Sequence, residues 1–277
     1  MKLVHSGAPV VKAAQLTGYS RRAMYKPPQE GAVHRPRADE EDLRRAIRRV
    51  ALANPLFGHR RVWNLLRSEG RAVNRKRVHR LMKAEELLKP AHFPRPRKPL
   101  TGRLGAGFPN QKWSTDLTEI LTTDRGVCHL MTVLDACTRE VIAWDFLPSY
   151  GATEALDTVE RAVLARFPKA GRADGLILKT DGGPQFVARR FVEGMKLLGI
   201  EQEVNRPYSP EDNGLQESFH GKLKMEYPWV RETETYLETR GTLEKAIPHY
   251  NECRPHSSLG YQTPRAFYAQ KMMEAGA

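Results

Sequence analysis

From Trp113 onward the chain runs through three strand-like stretches in succession and only then alternates helix with strand, an order that narrows the possible sheet topologies sharply. WSTDLT alternates large apolar and small polar side chains at a period of two, which sets Ser114, Asp116 and Thr118 on one face of a strand. VCHLMTVLDACT and EVIAWDFL continue as a meander joined near Thr138 and Arg139, and ATEALDTVERAVLARF has the pattern of an amphipathic helix. LILKTD is a short buried strand ending at Asp181, and the Gly182-Gly183-Pro184 turn opens one helix over PQFVARRFVEGMKLL. IEQEV supplies a fifth strand and RPYSPEDN a proline-rich loop. Asp212 or Asn213 then caps the helix that carries Glu217.

Three acids stand out because each sits in a different element. Asp116 lies inside the alternating strand, Asp181 at the end of a buried one, and Glu217 inside a capped helix, with 35 residues between the last two. The interval alone carries little in a chain with 32 acidic residues. Carboxylates from separate elements that converge in a core need a cation to hold their charge. Phosphodiester chemistry supplies a reason for such a site. Two divalent cations about 3.5–4 Å apart can activate an attacking oxygen and stabilise a leaving one. Mg²⁺ takes hard oxygen ligands and keeps several waters, so Asp116 is expected to bridge while Asp181 and Glu217 each complete one shell. His220 and Lys224 follow Glu217 at helical spacing, which aims Lys224 at the phosphate; His220 is either a packing or a phosphate-adjacent residue. Glu119 points to the opposite strand face, Asp135 and Asp145 suit structural acceptors, and Asp124 and Asp174 fall in turns.

The charge is divided unevenly. Residues 1–107 hold 25 Lys and Arg against 8 Asp and Glu, whereas residues 108–277 hold 20 against 24, so a basic front half precedes a near-neutral working domain. Such a front half suits a polyanion. Residues 1–88 read as helical. VVKAAQLTGYSRRAMYK is either a helix-turn-helix or a plain helical hairpin, with Ser20 as a cap. GHRRVWNLLRSEGRAVNRKRVHRLMKAEELL is a clearer pair. Val62, Leu65 and Leu66 form one apolar stripe, Gly70 ends the first helix, and Asn74 caps a second whose Val78, Leu81 and Met82 face inward. Arg75, Lys76, Arg77, Arg80 and Lys83 are left on the outer surface, a face suited to a DNA groove or its phosphates. Residues 89–112, with five prolines, read as a basic extended linker between the helical region 1–88 and a core at 113–230, which a closing helical segment at 231–277 follows. No apolar run is long enough to span a bilayer, and three cysteines without a CxxC pair fit a reducing cytoplasm.

These motifs together resemble a known group. The back half resembles the catalytic core of retroviral-type integrases, with its Asp, Asp, 35 residues, Glu signature. The whole chain is similar to the second-reading-frame product of bacterial insertion-sequence transposases, which make their full enzyme by frameshifting. GHRRVWNLLRSEG and VNRKRVHRLMK match the upstream helix-turn-helix-like module. WSTDLT, TDGGPQF, YSPEDNGLQESFHGKLKMEY and YNECRPHSSLGYQTP match the successive core motifs, over about residues 55–268.

The resemblance implies an α/β, RNase H-like fold: a five-stranded mixed sheet flanked by helices and preceded by a small helical module. It implies Mg²⁺ or Mn²⁺, two per active site, bound by Asp116, Asp181 and Glu217, with Lys224 touching DNA near the transferred phosphate. It implies a metal-dependent DNA transposase that nicks a 3′ end and transfers the strand without a covalent protein–DNA intermediate or ATP. Element ends and target DNA are the expected partners, along with further copies of the chain and an upstream-frame product, in the bacterial cytoplasm at the nucleoid. No cysteine stands where retroviral integrases carry an amino-terminal zinc module, so zinc is not implied. Residues 1–50 show no leucine heptad, so part of the end-recognition and dimerisation apparatus is expected to lie elsewhere. In the closing segment Arg254 and His256 either touch DNA or join Tyr250, Leu259 and Tyr261 in capping the fold. Two other readings remain beside the transposase: a remnant that only binds DNA, and a general RNase H-like nuclease or resolvase.

Overall fold

The computed structural model describes residues 10–11, 39–88, 106–205, 214–226 and 235–276. The possible amino-terminal helix pair, most of the proline-rich linker and the Asp212 or Asn213 cap lie outside these residues. The chain divides into two compact units, Met1–Arg48 and Arg49–Ala277. Helix α1 (Glu40–Ala53) begins with Glu40, Glu41 and Asp42, three acids at the end of the helix dipole that favours them. Arg44 bonds back to Glu40 one turn earlier at 3.1 Å.

The second unit starts with a helix pair, α2 (His59–Ser68) and α3 (Arg75–Ala84). Gly70 ends the first at φ +82°, where a side chain would be strained. The Asn74 side chain accepts from the Lys76 N–H at 2.8 Å and so opens the second, as its position predicts. Trp63 Nε1 donates to the Val73 carbonyl and holds the turn closed, while Val62, Leu66, Val78, Leu81 and Met82 are buried. Leu65 is only half-buried.

A five-stranded mixed sheet follows, in the order β3-β2-β1-β4-β5. Strands β1 (Lys112–Thr122), β2 (Gly126–Asp135) and β3 (Val141–Leu147) form the antiparallel meander, with Arg139 at φ 64° in the second turn. β4 (Ile177–Thr180) and β5 (Glu201–Val204) are parallel to β1, which requires crossovers, and helix α4 (Ala152–Arg166) supplies the first. The single helix expected after Pro184 is two, α5 (Pro184–Val187) and α6 (Arg189–Leu197), because Ala188 takes an extended backbone at ψ 139° and interrupts the helical hydrogen bonding. Just ahead of β1, the Asn110 N–H donates to buried Asp135, and Gln111 Oε1 accepts from the Gly107 and Phe108 N–H groups.

Each face of the sheet buries its own apolar layer. Trp113, Met131 and Val133 meet α4 and α6 on one side. Leu130, Leu134 and Phe146 meet α7 (Gly214–Glu226) and α8 (Tyr236–Glu252) on the other. The odd-and-even division along β2 is the strand period made visible. A 3₁₀ turn (Ser257–Leu259) and α9 (Pro264–Gly276) complete the chain's described part.

Candidate active site

Asp116 is in the middle of β1, on the face that looks toward α7. Its strand partner Thr132 faces the same way. Asp116 Oδ1 accepts from Leu117 N–H at 2.9 Å, and Oδ2 lies 3.9 Å from His220 Nδ1, with the carboxylate 14% exposed. Burial pushes the His220 imidazole down to about 3, and the neighbouring Lys224 charge adds to that. The ring is therefore neutral, and its contact with Asp116 is not an ion pair. Through Nε2 it meets the Thr132 hydroxyl at 3.2 Å. His220 is a packed, hydrogen-bonded core residue.

Asp181 follows the last residue of β4. Trp113 pairs with Leu178 and Ser114 with Lys179 across the parallel strands. Extended two residues beyond its last pair on each strand, that alternation would give Asp181 the same face as Asp116. Asp181 Oδ1 accepts from the Gly183 N–H at 3.0 Å, an Asx-type turn that reverses the chain after the strand. A Cβ at Gly183 would come within 2.9 Å of Asp181 Oδ1 and 2.4 Å of Gln185 Nε2, so those side chains would have to move.

Glu217 is on α7, and its side chain is exposed. The helix is fixed by the residue before it. Gln216, fully buried, donates through Nε2 to the Ser114 carbonyl at 2.7 Å and to the Thr132 carbonyl at 3.2 Å, and its Oε1 accepts from the Thr132 hydroxyl at 2.9 Å. Two turns further on, Lys224 Nζ donates to Thr118 Oγ1 at 2.7 Å and to the Glu119 carbonyl at 2.8 Å. α7 is thus bolted to β1 on both sides of the Asp116 position. Sequence reasoning missed Gln216; the only local signal was a polar residue on the helix's inward stripe.

The pairing of β1 with β4 runs from Lys112 and Ile177 to Ser114 and Lys179 and stops two residues short of both Asp116 and Asp181. Among the described residues, no group of three or more His, Cys, Asp or Glu side chains is arranged to hold a metal ion. The donor type still fits a hard divalent cation. Asp116, Asp181 and Glu217 all offer carboxylate oxygens, and the buried His220 imidazole lies against the Thr132 hydroxyl. The competing acids are accounted for. Asp135 accepts from the backbone of Asn110, Cys137 and Thr138, Asp145 pairs with Arg161 and Arg240, Asp124 accepts from Tyr236 N–H, and Asp174 pairs with Arg172.

Of the basic residues on α3, Arg75, Lys76 and Lys83 are exposed. Arg77 and Arg80 are half-buried. Arg254 is 1% exposed and locked to Glu226, so it packs the fold and does not face DNA.

Two matches to the integrase core domain family cover residues 108–210 and 198–264, and an HTH-like domain family matches residues 37–95. Transposase InsD for insertion element IS2A/D/F/H/I/K of Escherichia coli is 32% identical over 242 residues, covering 84% of this chain and 80% of its own. Transposase InsD for insertion element IS2D of E. coli strain K12 matches to the same extent. An intasome of simian T-cell lymphotropic virus, solved in complex with PP2A regulatory subunit B56 gamma, shares the fold at a TM-score of 0.52 and 18% identity. That match covers 80% of this chain and 74% of the viral one. On the sequence matches and the integrase-type sheet, the chain belongs to the insertion-element transposases, polynucleotidyl transferases that carry out DNA transposition.

Proposed function

We propose that Asp116, Asp181 and Glu217 form the catalytic centre and hold Mg²⁺ or Mn²⁺, two ions when DNA is bound. The observation that supports this reading is the parallel pairing of β1 with β4 at Trp113–Leu178 and Ser114–Lys179, two residues before Asp116 and Asp181. The bound ions would supply Lewis-acid activation of an attacking oxygen and neutralise charge on a leaving one. The protein's own part is positional. β1 and β4 present two carboxylates from one rigid sheet, Gln216 holds α7 so that Glu217 approaches from the helix side, and neutral His220 excludes water behind Asp116 without adding a competing charge. Lys224 leaves Thr118 and the Glu119 carbonyl to meet a DNA phosphate. The reaction is nicking at the element's 3′ end, then attack of the freed hydroxyl on target DNA.

In this reading residues 1–88 bind DNA, 89–112 link, 113–230 catalyse and 231–277 close the fold. Arg75, Lys76, Arg77, Arg80 and Lys83 grip the phosphates. Two DNA ends call for two or more copies of the chain, working at the nucleoid with or without the upstream-frame product. Among the described residues no helix is long and apolar enough to cross a membrane. Replacing Arg75, Lys76 and Lys83 together with alanine should lower the salt dependence of DNA affinity by about 2–3 in log–log slope.

The deciding experiment incubates the protein with Mn²⁺ and a labelled element end. Asp116→Asn should lose at least about 100-fold in cleavage rate, roughly 2.7 kcal/mol of barrier, with DNA affinity retained. Equal cleavage by the two proteins would sink the assignment.

A further inference from the structure

The last residue of α7 ties the helix pair to the catalytic core. Glu226 accepts from Arg61 Nη1 of α2 at 2.9 Å and, in a two-pronged arrangement, from Arg254 Nε at 2.5 Å and Nη2 at 2.7 Å. Arg254 Nη1 meets His256 Nε2 at 2.8 Å. The side chains are secluded: 1% exposed for Arg254, 9% for Glu226 and 23% for Arg61. Burial alone would raise the Glu226 carboxyl, but the hydrogen bond and charge of Arg254, with Arg61 behind them, hold it below the usual carboxylate range. The carboxylate is charged and fully engaged.

Apolar packing beside this cluster is incomplete. A cleft of about 280 Å³ separates the chain entering α2, Ala53 to Phe57, from Ala246 and His249 of α8, with Glu226 in its wall. Phe57 and His249 rings approach only to 6.4 Å between centroids, and Arg61 lies over the Phe57 ring at 5.1 Å. With a cleft where a core would be, the charged cluster has the directional contacts that fix α2 against α7. α7 is one rigid helix, so whatever Glu226 feels at its end is carried to Lys224 two residues back and to Glu217 about 13 Å along the axis.

We infer that Glu226, through Arg61, is a positioning residue for phosphoryl transfer: it sets α7, and so the Glu217 and Lys224 side chains, by the placement of the helix pair that grips DNA. This rests on the catalytic role proposed for Glu217. Seating of the helix pair on an element end would then be sensed at the active site through Arg61, Glu226 and α7, and DNA that fails to seat it would bind without being cut efficiently.

Glu226 itself is a poor test, since removing it strands the buried Arg254 charge and threatens the fold. Arg61 can be changed with the Glu226–Arg254 pair left in place. Single-turnover cleavage of a labelled element end with Mn²⁺, at saturating protein, should fall about tenfold in Arg61→Gln. The dissociation constant for the same DNA should stay within about twofold, with the thermal transition close to wild type. Arg61→Lys, which keeps a cation within reach of Glu226, should recover most of the rate. Equal loss of affinity and rate would make Arg61 a DNA contact and overturn the inference, as would an unchanged cleavage rate. A drop in the Gln variant that Lys does not recover, accompanied by a lowered thermal transition, would reduce Arg61 to a stabilising residue and overturn it too. Wild-type protein that binds the end but never cuts it would instead bring down the catalytic reading, and this inference with it.

Discussion

One face of the sheet meets α4 and α6 through a layer of Trp113, Met131, Val133, Val159, Phe191 and Met195. The other meets α7 with Thr132, Gln216 and His220 interleaved among Leu130, Phe219 and Leu223. Apolar layers stabilise by area and tolerate small shifts, because the hydrophobic effect has no direction. Hydrogen bonds between buried groups are weaker in net free energy but define position, and an unmade one is costly. The sheet therefore has a face that holds the fold together and a face that aims a helix. Asp116 and Glu217 are both on the second.

Three measurements press on this contrast. Phe191→Ala, on the apolar face, should cost about 3–5 kcal/mol of stability by urea unfolding, with cleavage per folded molecule close to wild type. A loss of specific activity there would mean the two faces are not separate in function. Gln216→Ala should cost less, about 1–3 kcal/mol, because the carbonyls of Ser114 and Thr132 lose a buried donor. Its effect on cleavage should be larger than its effect on DNA affinity, and parallel declines would remove the aiming role.

The third concerns acid. His256, packed beside Tyr250 on the polar side, is held to about 2 from its ordinary 6.5, first by burial and then by Arg254 and other nearby cations. Its proton is bound in the unfolded chain and not in the folded one between those values, so stability is present above pH 6.5 and is lost as pH falls. Between pH 7 and pH 5 this one group should account for about 2 kcal/mol. His256→Asn should flatten that part of the urea-midpoint profile; an unaltered profile would assign the acid sensitivity elsewhere.

What the sequence disclosed followed from how local each signal is. The Asn74 cap, the Gly70 stop and the alternation around Asp116 depend on neighbours within a turn or two, and the structure has them where their spacing predicts. The placement of β4 beside β1 had no local sign, because parallel pairing joins segments about 65 residues apart. Gln216 was illegible for the same reason: its partners are backbone carbonyls 102 and 84 residues away. A one-signed helix looks wholly outward in sequence, whereas Arg77 and Arg80 are half-buried in the structure.

Near the end of α8, Asn251 turns its side-chain amide toward Val141 on β3, donating to its carbonyl at 2.8 Å and accepting from its N–H at 3.0 Å. β3 is the outermost strand on that side of the sheet. The amide imitates the peptide group of a strand that is not there and occupies hydrogen-bonding positions that another chain would need in order to dock edge to edge. Another strand pairing along β3 would first have to displace that amide from Val141.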